Sequence, residues 1–356
     1  MELPFVRSDA ETDLGQLPDL LTFNDGTPVR SKDDWYRRRN EIYEKIIPLQ
    51  YGGMPPKPDF DKITIDIISS SKPTYRCPYG VMGTRKLVVE VTVPGDNQPL
   101  VFDIEVWIPP ADKPVPAVIY GDDCWQYLSE EIGYEVLSRG FALVVFNRCK
   151  IARDRKDARS FGIYKAFPGD YGVISAWAWG YHRVIDALNH ISEIDISKIM
   201  ITGHSRGGKA VQLAAATDER IAFVADNNSG CCGFGLHRVR GKGAETISDI
   251  TRNFGFWFEK DFSKYAGREN ELPFDQHFLS ALIAPRGLRF QVAFDDLWAN
   301  GIGACENYRE TMKVYRLLEA DDNFSIAFRE SGHSHRPEDW TRSLDFAIEY
   351  FKPSTK

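Results

Sequence analysis

One short stretch of the sequence combines residue types that can carry out nucleophilic chemistry. The pentapeptide GHSRG (203–207) follows an apolar run ending at Thr202 and precedes a run of small residues typical of a helix. A tight turn from strand to helix requires glycine at the flanking positions and holds the serine hydroxyl exposed at the helix N-terminus. There the helix dipole and the free backbone N–H groups can stabilise an oxyanion. We therefore predict that Ser205 is a nucleophile.

A serine hydroxyl is a weak nucleophile and needs a base that accepts its proton. Five of the seven histidines lie elsewhere, four of them in a predicted helix or insertion and His204 beside the serine, with its side chain expected to point away. The other two lie in SGHSH (331–335), after the last predicted strand, where the chain order nucleophile, acid, base places the base. We predict that His333, which follows a glycine, is the base, and that His335 supports it or contacts the substrate.

An acid that orients the imidazole and stabilises its cationic form should follow a strand between Ser205 and His333. The apolar run LRFQVAF (288–294) is followed by Asp295 and Asp296, and either could serve. Asp226, at the end of the preceding predicted strand, is a weaker alternative. These positions predict a serine hydrolase with a three-residue catalytic arrangement.

The elements around these residues predict how they are brought together. Three alternating runs that start at residues 62, 86 and 102 are typical of antiparallel strands. The later runs 116–121 and 141–146 are continuously apolar, as buried parallel strands are. The runs 198–205, 223–228, 288–294 and 324–330 are also predicted to be strands. Helical segments separate several of them, including a long one over 172–191. The pattern predicts a mostly parallel sheet with antiparallel N-terminal strands and helices on both faces, an α/β three-layer sandwich.

We predict one domain over residues 1–356 with two additional segments. Residues 1–60 form an N-terminal extension with a helix around Asp33–Ile47, whose Trp35, Ile42 and Ile46 recur at helical spacing and should pack on the domain. Residues 229–287, rich in glycine, aromatic and charged residues, form an insertion near the active site.

Composition and charge narrow the function. A formal net charge of −7 argues against a broad surface for nucleic acid or anionic lipid, and no stretch of about 18 apolar residues predicts a membrane span. The six cysteines form no C-x-x-C pair and the histidines show no zinc spacing, so we expect reduced or buried thiols, no metal and no cofactor. The N-terminus lacks a basic stretch followed by an apolar run, so we expect a cytoplasmic protein, or an exported one if a signal peptide has been removed.

Segments throughout the chain resemble the glucuronoyl esterases, carbohydrate esterase family fifteen, and especially their bacterial branch. The matching segments are LPDLLTFNDGTPV (17–29), GVISAWAWGYHRVIDAL (172–188), GHSRGGKA (203–210), DNNSGCCG (226–233), LPFDQHFLSALIAPRGL (272–288), DDLWA (295–299) and GHSH (332–335). The resemblance implies an α/β-hydrolase fold and cleavage of the ester between 4-O-methyl-glucuronate on xylan and lignin alcohols. The expected partner is therefore a carbohydrate ester.

The resemblance also implies residue roles. Bacterial relatives take the acid from a D-x-W turn, which favours Asp296 over Asp295 and places Trp298 along the sugar. The arginine after the serine helps hold the oxyanion, and here it is Arg206. The lysine four positions after the serine contacts the sugar, which implies this role for Lys209, and a glutamate in the insertion that binds sugar hydroxyls matches Glu245.

The residues themselves support a uronate ester, because hydrolysis leaves a carboxylate. Arg206 and Lys209 lie on consecutive turns at a helix N-terminus and would form a small cationic pocket, although a solvated helix face is the alternative. Two segments depart from the family pattern: Asn228 occupies the position of the fungal triad glutamate, and residues 120–125 (YGDDCW) differ from the usual apolar-Gly-Asn-His sequence. An acetyl xylan esterase and a catalytically silent carbohydrate-binding relative are the competing hypotheses.

Overall fold

The structure is a computed structural model that describes residues 3–125 and 128–352. The strands in these residues are β1 Thr12–Asp13, β2 Thr64–Ser71, β3 Thr74–Cys77, β4 Gly80–Gly83, β5 Arg85–Val93, β6 Leu100–Ile108, β7 Val115–Tyr120, β8 Ala142–Phe146, β9 Ile194–His204, β10 Phe223–Asn227, β11 Val239–Arg240, β12 Gly287–Ala293 and β13 Phe324–Arg329. The α-helices are α1 Lys32–Tyr51, α2 Glu130–Ser138, α3 Ile163–Ala166, α4 Val173–Leu188, α5 Arg206–Thr217, α6 Ile247–Phe254, α7 His277–Ala281, α8 Gly301–Leu317 and α9 Pro337–Tyr350.

A nine-stranded sheet organises the molecule, with strand order β13-β12-β10-β9-β7-β8-β6-β5-β2. Neighbouring strands from β13 to β8 are parallel, whereas β6, β5 and β2 join antiparallel. The predicted mostly parallel sheet with antiparallel N-terminal strands is therefore confirmed. In such a sheet the carboxyl ends of the parallel strands lie along one edge, which is where ligands bind in open α/β folds.

Helices cover both faces of the sheet, as predicted. Alternate residues of β7 point to opposite sides, so that Ala117 and Ile119 join one apolar cluster and Val118 joins the other. The first cluster includes residues of α1, α4 and α5, and the second includes residues of α2 and α9. Every residue of α4 is buried, as expected of a helix that is apolar on most of its circumference.

The N-terminal region packs on the sheet domain and on the segment 229–287. In α1 the side chains of Trp35, Ile42 and Ile46 are fully buried. β1, in the N-terminal region, pairs antiparallel with β11, which lies in the segment 229–287. The hairpin of β3 and β4 was not predicted, because each strand has only four residues, too few to establish an alternating pattern. No helix among the described residues is long and apolar enough to cross a bilayer.

Candidate active site

Ser205 lies at the turn between β9 and α5, in a backbone conformation that L-residues rarely adopt (φ 56°, ψ −118°). Such strain is found at functional sites, where the surrounding structure maintains it. A Cβ atom at Gly203 would lie 2.5 Å from the Gly207 carbonyl oxygen, and one at Gly207 would lie 2.2 Å from Asp122 Oδ1. Because the turn leaves no room for these atoms, the glycines permit the geometry that presents the Ser205 hydroxyl.

The loop after β13 places His333 beside the turn that follows β12. His333 Nδ1 lies 2.6 Å from Asp296 Oδ2, and the Asp296 side chain is only 2% exposed, whereas that of His333 is 41% exposed. Asp295 instead accepts a hydrogen bond from the Ser331 backbone N–H at 3.1 Å. The structure thus brings Asp296, not Asp295, to the imidazole. The other carboxyl candidate, Asp226, is buried against the Ser229 hydroxyl at 2.6 Å.

His204 contacts the base, although its side chain was expected to point away from the site. Its ring centroid lies 4.4 Å from that of His333, and its Nδ1 lies 2.6 Å from Asn227 Oδ1. Since an amide oxygen accepts hydrogen bonds, this contact places the proton on Nδ1. Burial is the main cause that lowers the pKa of His204 to about 4, which keeps the ring neutral beside the base.

His335 does not face the solvent. It is 4% exposed, and its ring stacks on Trp340 at 5.0 Å and on His204 at 6.0 Å. The expected substrate contact stays a prediction, since the ring packs against Trp340 and His204. The alternative, a supporting position behind His204, agrees with the packing.

Arg206, the first residue of α5, is held in a partly buried pocket of aromatic side chains. Its Nη1 donates to Asp154 Oδ2 at 2.5 Å. The guanidinium carbon lies within 4.6 to 5.1 Å of the ring centroids of Trp125, Trp257 and Phe254. Cation–π contacts of this kind stabilise a guanidinium where water is partly excluded. The guanidinium is therefore fixed at the N-terminus of the nucleophile helix.

Lys209, one helical turn further on, lies near Glu245, which is also predicted to bind the sugar. Its Nζ donates to the Ser229 carbonyl and lies 3.8 Å from Glu245 Oε2. Burial raises the pKa of Glu245, and Lys209 opposes this rise. The backbone N–H of Glu245 donates to the Trp298 carbonyl at 3.1 Å, and the Trp298 side chain is 47% exposed. Glu245 thus links Lys209, through its side chain, to Trp298, through its backbone.

Comparisons with known proteins show the family of the chain. A family model described as fungal glucuronyl esterase matches residues 90–319. The chain belongs to the glucuronoyl esterase family. A 4-O-methyl-glucuronoyl methylesterase of Schizophyllum commune is 28% identical over 349 residues, which cover 94% of this chain and 81% of that protein.

Solved structures support the same conclusion about the fold and the enzyme class. The glucuronoyl esterase of Solibacter usitatus matches with a TM-score of 0.84 and 26% identity, over 96% of this chain and 99% of that chain. A family-fifteen glucuronoyl esterase of Caldicellulosiruptor kristjansonii matches with a TM-score of 0.80 and 30% identity, over 96% and 92%. The predictions of an α/β-hydrolase fold and of a serine carboxylic ester hydrolase are confirmed.

The segment 120–125, which departs from the usual family sequence, contacts the turn between β9 and α5. Asp122 Oδ2 accepts a hydrogen bond from the His204 backbone N–H at 2.9 Å, and Oδ1 pairs with the buried guanidinium of Arg148. The Gly121 N–H donates to the Tyr181 hydroxyl at 3.0 Å. Asn228, at the position of the fungal glutamate, accepts from the Ala293 N–H at 2.9 Å and so ties β10 to β12.

The sequence interpretation missed Asp154, Asp122 and Arg148, because each acts through a partner distant in the chain. The aromatic residues of the insertion were the available signal for Trp257 and Phe254, but nothing local connected them to Arg206.

A separate group of possible metal ligands lies in the core. Cys231, Cys232 and His237 are all buried, and their ligand atoms lie within 4.8 Å of one another. His237 Nε2 lies 2.8 Å from the Gln276 amide nitrogen, which leaves the ring proton on Nδ1, 3.8 Å from Cys231 Sγ. A metal at Nδ1 would have to displace that proton. Hydrogen bonding within the group accounts for its arrangement.

Proposed function

We propose that this esterase hydrolyses esters of 4-O-methyl-glucuronate through an acyl-enzyme on Ser205. The observation that carries the proposal is the position of two cationic side chains, Arg206 and Lys209, on the helix that begins after Ser205, in a fold that also pairs His333 with Asp296. An esterase for simple acyl groups would not need both charges beside the serine. The family members named above as glucuronoyl esterases support the same substrate class.

In the acylation step, His333 Nε2 accepts the proton of the Ser205 hydroxyl as its oxygen attacks the ester carbonyl carbon. The tetrahedral intermediate then expels the alcohol, which takes the proton back from His333. Asp296, which accepts a hydrogen bond from Nδ1, stabilises the imidazolium during both transfers. In deacylation a water molecule replaces serine as the nucleophile, and the products are free enzyme and a uronate carboxylate.

The oxyanion of each intermediate forms at the N-terminus of α5. The backbone N–H groups of its first residues have no partners inside the helix and point towards this position. Arg206 adds a charged donor, since only its Nη1 is hydrogen-bonded within the described residues. A donor that acts mainly on developing charge lowers the barrier more than it strengthens substrate binding.

The sugar would lie on the side of Lys209, Glu245 and Trp298. The exposed indole offers an apolar face for a pyranose ring, whereas the charged pair can hydrogen-bond to sugar hydroxyl groups. Because these contacts are made in the ground state as well as in the transition state, they serve mainly to bind and orient the substrate.

Turnover of benzyl glucuronate compared with an acetylated xyloside tests the proposal. We expect kcat/KM to favour the glucuronate ester by about 10²-fold or more, since buried polar groups would be left unpaired by an acetyl group. A preference for the acetyl ester would instead assign the chain to the acetyl esterases. Absence of turnover of both esters, and of p-nitrophenyl acetate, would indicate a silent carbohydrate-binding protein.

A further inference from the structure

Asp154, in the segment after β8, contacts Arg206 and the inserted segment together. Oδ2 accepts from Arg206 Nη1 at 2.5 Å, and Oδ1 accepts from Trp257 Nε1 at 2.8 Å. The side chains of Asp154 and Arg206 are 16% and 19% exposed. Both carboxylate oxygens therefore have a fixed donor, and the carboxylate has little freedom to move away from the guanidinium.

Asp154 is the residue that offsets the positive charge of Arg206. Among the described residues, it is the carboxylate that forms an ion pair with this guanidinium. The nearby buried cation Arg148 has its own partner in Asp122. Asp154 lines two cavities, of about 690 and 460 Å³. The cationic side chains that line them, Lys150, Arg153, Arg155 and Lys156, outnumber the two carboxylates, Asp154 and Asp157.

A charged donor beside the nucleophile creates a difficulty for a uronate esterase. The ester that enters is neutral at its carbonyl, but the product that leaves is a carboxylate, which a guanidinium binds with two parallel hydrogen bonds. The oxyanion of the intermediate is a single oxygen atom, so it needs a donor at one position only, whereas the product carboxylate can bind through both of its oxygens. An Arg206 without a counter-charge would therefore hold the product as well as the transition state.

We propose that Asp154 is a positioning residue that fixes Arg206 at the oxyanion and offsets its charge, so that the uronate product is released. The inference rests on the proposed function, since it assumes an acidic product. One Nη1 N–H of Arg206 is donated to Asp154, so the carboxylate holds one edge of the guanidinium and offsets the charge that would attract the product. The remaining N–H groups stay available to the oxyanion.

Inhibition of ester hydrolysis by glucuronate tests the proposal, with methyl glucuronate as the substrate. The variant Asp154→Asn retains the size of the side chain but not its charge, and we expect the inhibition constant of glucuronate to fall by about tenfold. Its kcat should fall as well, because the amide holds the guanidinium less firmly. Asp154→Glu should restore weak product binding, and Asp157→Asn, on an exposed partner of Arg155, should change neither quantity.

A merely structural role predicts the opposite sign, since a disordered site binds substrate and product less well. Unchanged or weaker inhibition of Asp154→Asn by glucuronate would overturn the proposal. The same would follow if the tighter inhibition persisted in the Arg206→Ala background, where the charge in question is absent. If the wild-type protein cleaved p-nitrophenyl acetate but not methyl glucuronate, the proposed function would fail. Inhibition by acetate, the product of that reaction, would then test the effect of Asp154 on Arg206 independently of the proposed function.

Discussion

At the scale of single residues, the proposed mechanism depends on the contact between His333 and Asp296. With its Nδ1 proton directed at Asp296 Oδ2, the ring has Nε2 available for the proton of Ser205. We expect Asp296→Asn to lower kcat by about 10³- to 10⁴-fold, because an amide favours the wrong tautomer of the ring. Steady-state kinetics on methyl glucuronate measure the effect.

Asp295→Asn is the matched control, since Asp295 neighbours the acid in sequence but binds the Ser331 backbone. It should retain kcat within about tenfold of the wild-type value, because it contacts the histidine loop and not the ring. A larger loss of kcat for Asp295→Asn than for Asp296→Asn would show that Asp295, and not Asp296, is the acid.

Local motifs made several of these residues predictable. Ser205 and His333 each lie next to glycine in a short pattern, and the chain order of such hydrolases limits the position of the acid. Asp154 has no such pattern, since its partners Arg206 and Trp257 lie 52 and 103 residues further along the chain. Contacts of this length depend on how loops fold over the sheet, which residue spacing does not reveal.

At the scale of elements, the turn from β9 to α5 is the most constrained part of the site. A methyl group at position 207 would lie 2.2 and 2.3 Å from the oxygens of Asp122, which hold the His204 N–H and Arg148. We expect Gly207→Ala to reduce the free energy of unfolding by about 1–3 kcal/mol, as overpacking does. Urea denaturation measures this change, and activity should fall with it.

Gly255→Ala provides the comparison, because its backbone is helical and no atom lies within 4 Å of the added methyl group. We expect its free energy of unfolding to stay within about 0.5 kcal/mol of the wild-type value. Equal free energies of unfolding for the two variants would show that the turn from β9 to α5 can move away from Asp122.

Most elements of the sheet were predictable, whereas their surroundings were not. β7 and β8, in the middle of the sheet, are almost entirely apolar because helices cover both sheet faces. The strands of the hairpin β3–β4 are too short to establish a period, and the short helices of the insertion carry mixed side chains. Their conformations depend on contacts with the rest of the fold, so the sequence alone predicted only an irregular segment near the site.

At the scale of the whole molecule, buried histidines link stability to pH. His182 lies in the fully buried helix α4, with Nε2 3.0 Å from the Ala214 carbonyl oxygen, and burial lowers its pKa from 6.5 to about 4. Between these values the unfolded chain binds a proton at this position and the folded chain does not. The contribution of His182 to stability is therefore lost as the pH falls from 6.5 towards 4.

Replacement of His182 by glutamine should remove this dependence. We expect the free energy of unfolding of His182→Gln, relative to wild type, to rise by about 2–3 kcal/mol between pH 7 and pH 4.5. Urea denaturation at both pH values measures the difference. A constant difference between the two proteins would show that His182 gains a proton in the folded state as readily as in the unfolded chain.

The central claim is that Ser205 is the nucleophile of a uronate esterase, and trapping the acyl-enzyme tests it most directly. Wild-type protein mixed with methyl glucuronate and quenched in acid should yield a Ser205 peptide that carries one glucuronoyl group. Ser205→Ala should yield no acylated peptide and lose about 10⁶-fold in kcat, while remaining folded. Turnover by Ser205→Ala within tenfold of the wild-type rate, or acylation of another residue, would contradict the account.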